Sequence, residues 1–128
     1  MFTLSQRSIQ HMSGIHIDLR RVADRAIQLT KIDFGIPSTG GIRSAEMQNE
    51  LFKAGKSKCD GYENMSYHQS GNALDFYAYV DGAASWEPEH LAQVACAFLQ
   101  AANEQGVKLK WGGLFKSFTD MPHFEIES

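Results

Sequence analysis

Residues 66–75 read SYHQSGNALD, and this stretch carries most of what the sequence predicts about fold and chemistry. It places two potential metal ligands, His68 and Asp75, on either side of Gly71, whose backbone can turn the chain back on itself. The residues around Asp75 are strongly apolar. A buried carboxylate is costly unless it is paired or bound to a metal. We therefore expect a chain reversal that brings His68 and Asp75 to one ion.

A third potential ligand, His123, opens another short predicted strand. Two imidazoles and one carboxylate form a ligand set suited to catalytic zinc, because a fourth position stays open for water. On its own strand, Asp75 shares a face with Ala73 and Tyr77, whereas the alternate residues point towards the helices. These residue types suggest a Zn²⁺ site at His68, Asp75 and His123, in a cleft on a sheet. The alternative is that each histidine is a surface residue or a hydrogen-bonded core residue.

The flanking sequence predicts short strands and amphipathic helices. Apolar residues recur every three or four positions over 16–29 and 88–106, which predicts two helices with a buried stripe. A third helix is predicted between its N-cap Ser44 and Gly55, with Met47, Leu51 and Ala54 facing inward. Strands are predicted at 31–36, 73–80, 108–111 and 123–127, and a surface loop at 55–65. Together they indicate an α+β fold, with helices on one face of a small, mostly antiparallel sheet, in a single domain over 1–128.

The composition limits the classes of function. Hydrophobic residues make up 43% and charged residues 21%, which is typical of a globular domain. A net charge of −3 with scattered basic residues argues against nucleic-acid binding. Neither a signal-peptide core nor a run of about 20 apolar residues is visible, so we expect cytoplasmic synthesis and no stable membrane insertion. Cys59 and Cys96 are expected to be a loop thiol and a core thiol.

Three sequence motifs resemble those of known zinc proteins. Residues 66–75 match the pattern SxHxxGxAxD of the lysostaphin, D-Ala-D-Ala-peptidase and hedgehog-like group. Residues 111–113 (WGG) and 118–125 (FTDMPHFE) resemble the C-terminal motif of one branch, the phage L-alanyl-D-glutamate peptidase endolysins and D,D-carboxypeptidase-like enzymes. Residues 41–48 (GIRSAEMQ) resemble the upstream substrate-binding motif of that branch. The likeness in layout extends from about residue 4 to the end.

The resemblance implies roles for four of these residues. It makes His68, Asp75 and His123 the zinc ligands, and it makes Asp120, three positions before the last ligand, the catalytic base. Many relatives carry Glu-x-x-His at this point, whereas the Asp-x-x-His of this chain is similar to the L-alanyl-D-glutamate peptidases. Without the motif, Asp120 would be interpreted as a turn residue before Met-Pro.

The same motifs suggest four further candidates, each with an alternative. Arg43 is expected to hydrogen-bond the scissile carbonyl oxygen as charge develops, unless it is a solvated surface arginine. Gln48, Ser66 and Trp111 are candidates for substrate binding. The alternatives are a solvated helix position for Gln48, a turn cap or an orienting hydrogen bond for Ser66, and a core aromatic position for Trp111.

The resemblance implies a zinc peptidase that acts on bacterial peptidoglycan stem peptides. The Asp-x-x-His form favours cleavage between L-alanine and D-glutamate by a phage or prophage endolysin, released by a separate holin to act on the cell wall or periplasm. A D-alanyl-D-alanine carboxypeptidase with the same metal chemistry is the alternative. A non-catalytic zinc-stabilised binding module is a more distant one, against which Asp120 and Arg43 argue. We expect a monomer.

Overall fold

The computed structural model describes residues 1–127, and Ser128, the last residue of the predicted domain, lies outside them. The helices are α1 (Gln6–His11), α2 (Ile17–Leu29), α3 (Ala45–Lys53) and α4 (Pro88–Gln105). The strands are β1 (Asp33–Gly35), β2 (Ala73–Asp75), β3 (Tyr77–Val80), β4 (Ala83–Ser85), β5 (Leu109–Trp111) and β6 (His123–Ile126). Two short 3-10 helices span Tyr67–Ser70 and Gly112–Leu114. The α+β class is confirmed.

Helices α2 and α4 pack against each other and form one side of the core. Pro88 occupies the first turn of α4, where its missing N–H has no intrahelical partner to lose, and Gly106 ends the helix at φ 69°. The predicted stripes of both helices are buried, except at Leu29, which is half-buried at the end of α2. Cys96 lies on α4 outside that stripe and is exposed, so the prediction of a core thiol was wrong. No helix within residues 1–127 is long and apolar enough to cross a membrane.

The strands form two antiparallel three-stranded sheets instead of one sheet. Their orders are β1-β3-β4 and β2-β6-β5. The single strand predicted at 73–80 was wrong at Phe76, where the chain passes from one sheet to the other and the backbone N–H of Phe76 donates to Pro122 O at 2.9 Å. The predicted alternation of faces nevertheless continues from β2 into β3, because Leu74, Phe76 and Ala78 are all fully buried. The rings of Phe76, Phe98 and Phe124 stack at centroid distances of 4.4–5.6 Å beneath the strands that carry the site.

Helix α3 begins where predicted but buries a different face. The hydroxyl of Ser44 caps it by accepting from Met47 N at 3.0 Å. Met47 is 37% exposed, whereas Gln48 is 0% exposed. The predicted inner face of Met47, Leu51 and Ala54 was therefore wrong. The reason is that α3 packs through polar groups against the loop at 55–65, where the amide of Gln48 makes two hydrogen bonds.

Candidate metal centre

His68 is held by a turn of 3-10 helix that the SYHQSG sequence itself stabilises. Ser66 caps this turn, with its hydroxyl accepting from His68 N at 3.2 Å, and Gln69 Oε1 accepts from Ser66 N at 2.9 Å. Gly71 ends the turn at φ 78°, a left-handed conformation that favours glycine. The imidazole is buried, and its Nδ1 donates to Gly41 O at 3.0 Å. The remaining nitrogen, Nε2, faces Asp75.

Asp75 and His123 are brought together by strand pairing. Strands β2 and β6 run antiparallel, with Asp75 directly opposite His123. The Oδ1 atom of Asp75 lies 3.2 Å from His68 Nε2 and 3.0 Å from His123 Nδ1. One ligand atom from each of the three residues falls within 4.8 Å of the others. The three predicted metal ligands therefore converge on one point.

The outer nitrogens of both imidazoles are occupied by protein acceptors. Gly41 O accepts from His68 Nδ1, and Glu125 Oε1 accepts from His123 Nε2 at 2.8 Å. Both inner nitrogens therefore turn lone pairs towards Asp75 Oδ1, an arrangement that is repulsive unless a proton or a cation lies between them. Two imidazole nitrogens and one carboxylate oxygen, each with an outer partner, fit the donor preference of zinc.

The electrostatics of the three residues reflect this close approach. Burial of Asp75 acts to raise its pKa. When the inner nitrogens of His123 and His68 carry protons, however, their hydrogen bonds to Asp75 outweigh burial and hold that pKa well below its usual range. Burial of His123 acts to lower its pKa, whereas the Asp75 and Glu125 carboxylates raise it, and the net pKa lies above the usual value. Without a bound metal, these residues therefore favour a positive charge between Asp75 Oδ1 and the two imidazoles.

Arg43 binds the other oxygen of Asp75. Its Nη2 donates to Asp75 Oδ2 at 3.0 Å, its Nη1 donates to Gln48 Oε1 at 3.1 Å, and its Nε donates to Thr39 O at 2.7 Å. The side chain is buried, so the alternative of a solvated surface arginine is excluded. These three bonds fix the guanidinium beside the three predicted ligands.

Asp120 lines the same cleft as the three ligands, and the cleft has a volume of about 380 Å³. Its backbone approaches Gly112 so closely that a Cβ at Gly112 would lie 2.0 Å from Asp120 O. Gly112 is therefore required for this placement. Burial is the first cause that raises the pKa of Asp120, and the nearby Asp75 carboxylate adds to it. A divalent cation bound by the three predicted ligands would lower the pKa of Asp120, because it favours the ionised carboxylate.

The three candidates for substrate binding occupy different positions. Ser66 lines the cleft, but its hydroxyl caps the 3-10 helix. Gln48 is buried behind Arg43 and contacts the loop at 55–65. Trp111 pairs with Phe124 across β5 and β6, so its side chain shares the core face of Phe124 and its indole N–H donates to Met121 O at 2.7 Å. Trp111 does not line the cleft.

Glu125 is a site residue that the sequence interpretation left without a role. It follows His123 by two positions on β6, so both side chains lie on the same face of the strand. Glu125 lines the cleft and accepts the hydrogen bond that orients His123. The sequence contained a signal for Glu125, because the alternation of side chains that placed Asp75 in the cleft also puts Glu125 on the same face of β6 as His123.

Comparisons with known proteins agree over nearly the whole chain. The family model of the phage L-alanyl-D-glutamate peptidases matches residues 1–127. An L-alanyl-D-glutamate peptidase of Escherichia phage T5 is 32% identical over 127 residues, which cover 98% of this chain and 90% of the relative. The peptidoglycan L-alanyl-D-glutamate endopeptidase CwlK of Bacillus subtilis is 31% identical, with 95% and 81% covered. The crystal structure of the Serratia marcescens L-Ala D-Glu endopeptidase ChiX is 35% identical and superposes with a TM-score of 0.86, covering 98% of this chain and 90% of that one. The chain belongs to the phage L-alanyl-D-glutamate peptidase family.

Proposed function

We propose that this protein is a zinc-dependent endopeptidase that hydrolyses the L-alanyl-D-glutamate bond of peptidoglycan stem peptides. The observation that carries the proposal is the convergence of His68 Nε2 and His123 Nδ1 on Asp75 Oδ1, in a cleft that also contains Asp120. Membership of the peptidase family and the activities of the relatives support the bond assignment.

Zinc would be held by His68, Asp75 and His123, with Gly41 O and Glu125 fixing the two imidazoles from outside. A zinc ion bound there supplies Lewis acidity, which lowers the pKa of water towards 7 and polarises a carbonyl group. Asp75 is tied to Arg43 through its second oxygen, so its first oxygen keeps a fixed orientation towards the ion. These contacts hold the ligands in place without help from substrate.

Asp120 is the group in the cleft that moves the proton. As a carboxylate, it accepts the proton of the attacking water as the oxygen adds to the scissile carbonyl carbon. It then returns that proton to the leaving amine nitrogen as the C–N bond breaks. Two of the five N–H groups of Arg43 remain outside its three hydrogen bonds and can donate to the developing oxyanion.

The biological setting follows from the substrate. Peptidoglycan lies outside the cytoplasmic membrane, so a chain made in the cytoplasm must be released to the wall or periplasm, for which a separate holin is the expected route in a phage or prophage endolysin. The phage T5 relative supports the lysis role. We propose that the protein acts as a monomer on peptidoglycan stem peptides.

Mass spectrometry of digested cell wall tests the proposal. Purified protein is incubated with wall from a Gram-negative bacterium, with zinc or with a chelator, and the released fragments are identified. We expect stem peptides that begin with D-glutamate, in the zinc sample only. Loss of terminal D-alanine would instead identify a D-alanyl-D-alanine carboxypeptidase. Zinc binding without cleavage would indicate a non-catalytic binding module.

A further inference from the structure

The substrate of the proposed reaction carries a charge that the mechanism above does not use. A glutamate residue has two carboxyl groups, and whichever one continues the peptide, the other remains free. This carboxylate is ionised at neutral pH and lies only a few bonds from the scissile nitrogen. The inference that follows rests on the proposed function, because it concerns recognition of this glutamate in the same cleft.

The charges of the cleft leave few partners for such a carboxylate. Its lining carries the carboxylates of Asp75, Asp120 and Glu125, which repel an anion unless metal neutralises them. The guanidinium of Arg43 binds Asp75, Gln48 and Thr39, and its two remaining N–H groups are those that the proposed mechanism directs at the oxyanion. The remaining cations of the lining are Lys56 and Lys58, both from the loop at 55–65. The carboxylate of the substrate should therefore be bound by one of these lysines.

Lys58 differs from Lys56 in having its ammonium group held at the cleft. Its Nζ lies 4.5 Å from the ring centroid of Phe118, which lines the cleft from the segment before Asp120. Such a contact attracts the cation to the ring face but leaves its N–H donors available. None of the ion pairs within residues 1–127 involves Lys58.

The backbone around Lys58 is tied to the metal ligands by a continuous set of hydrogen bonds. Gln48 Nε2 donates to Ser57 Oγ and to Cys59 O, both at 2.8 Å, so the residues on either side of Lys58 are bound to one buried amide. The other end of that amide accepts from Arg43, which in turn donates to Asp75. The distance between Lys58 and the site of cleavage is therefore set by buried, hydrogen-bonded groups.

We propose that Lys58 is the specificity-determining residue that binds the free carboxylate of the substrate's glutamate. Phe118 holds the ammonium group over the cleft, and Gln48 positions the backbone that carries it. A substrate without this carboxylate lacks the partner of Lys58 and is cleaved more slowly. Gln48 thus takes part in substrate binding through Lys58, without touching the substrate.

Two peptides that differ in one group test this role. Both contain the L-alanyl-D-glutamate bond, and one carries the free carboxylate whereas the other carries a carboxamide at the same carbon. We expect the zinc-loaded wild-type protein to cleave the carboxylate peptide with a kcat/KM about tenfold higher, the size of a partly solvated charge-assisted hydrogen bond. Lys58→Met should remove this preference by slowing only the carboxylate peptide. Lys58→Arg should retain the preference, and Lys53→Met, on the exposed end of α3, should leave both rates unchanged.

Two results would overturn the role of Lys58. One is equal cleavage of both peptides by the wild-type protein, and the other is a loss in Lys58→Met that affects both peptides equally while circular dichroism stays unchanged. If the zinc-loaded wild-type protein cleaves neither peptide, the proposed function itself is refuted, and the role of Lys58 with it.

Discussion

At the scale of single residues, the two oxygens of Asp75 serve different partners. Oδ1 meets both imidazoles, whereas Oδ2 accepts from Arg43. The sequence alone could single out Asp75, because a carboxylate within an apolar strand demands a partner. It could not identify which partner, since Arg43 is 32 positions away and its burial depends on the packing of the loop before α3.

Asp120 should be needed for catalysis but not for metal binding. Replacing it with asparagine keeps the shape of the side chain and removes its ability to accept a proton. We expect Asp120→Asn to bind zinc as the wild-type protein does, and kcat to fall by about 10²–10⁴-fold. Metal analysis and a peptide-cleavage assay measure the two properties separately. His68→Ala is the contrasting variant, and it should lose both zinc binding and peptide cleavage. Full activity in Asp120→Asn would show that another group carries the proton.

Gln48 should stabilise the folded protein, in addition to positioning the loop at 55–65 beside the cleft. Gln48→Leu removes the partner of Arg43 Nη1 and of Cys59 O, and it leaves buried polar groups without hydrogen bonds. We expect the free energy of unfolding to fall by about 2–3 kcal/mol, a cost typical of one or two unsatisfied buried groups. Urea unfolding with an unchanged m value measures this difference. Gln100→Leu, at an exposed position on α4, is the matched control and should change the free energy by less than about 0.5 kcal/mol. A similar loss in both variants would contradict this account.

At the scale of elements, the register of β5, β6 and β2 decides which side chains face the cleft. Asp75 opposite His123 puts both on one face, whereas Trp111 opposite Phe124 lies on the other. Strand alternation made the cleft face of β2 predictable from sequence. The position of Trp111 was not predictable, because it depends on how β5 pairs with β6 and a shift of one residue would reverse it.

The segment that carries Asp120 should tolerate no side chain at Gly112. In Gly112→Ala, the new Cβ would displace Asp120, because it would lie only 2.0 Å from Asp120 O. A shift of about 1 Å at a catalytic group is expected to lower kcat/KM by about 10²-fold. The control is Gly106→Ala, which strains a left-handed backbone in open space far from the cleft. That variant should lose about 1 kcal/mol of stability and keep its activity. Equal activity of the two variants, assayed where both are folded, would argue against the role of Gly112.

At the scale of the whole molecule, periodic features were predictable and pairing was not. The stripes of α2 and α4 follow from sequence because each helix buries one apolar face against the same core. The inner face of α3 was predicted wrongly, since its buried residue is the polar Gln48 and its contacts are hydrogen bonds to a loop. The division into two sheets also escaped prediction, because the break at Phe76 depends on Pro122, 46 positions later in the chain.

Metal should stabilise the folded molecule as a whole, because the three ligands come together only in the native state. We expect a chelator to lower the Tm, and zinc at about 100 times its Kd to raise the free energy of unfolding by about 2.7 kcal/mol. For a domain of this size, the Tm would rise by roughly 10 °C. Calorimetry with and without zinc measures the shift. His123→Ala should abolish it, and His90→Ala, whose Nδ1 contacts Ser85 Oγ instead, should keep it. A zinc-dependent shift that persists in His123→Ala would place the metal elsewhere.

The pairing of β2 with β6 also has a consequence for the timing of synthesis. His68 and Asp75 are translated before His123, and the strand that brings His123 opposite Asp75 begins 48 residues after Asp75. A nascent chain that has been translated only as far as Pro122 has two ligands and no third. The predicted metal centre therefore cannot assemble before His123 has been translated, and products that stop short of it should be inert towards the cell wall.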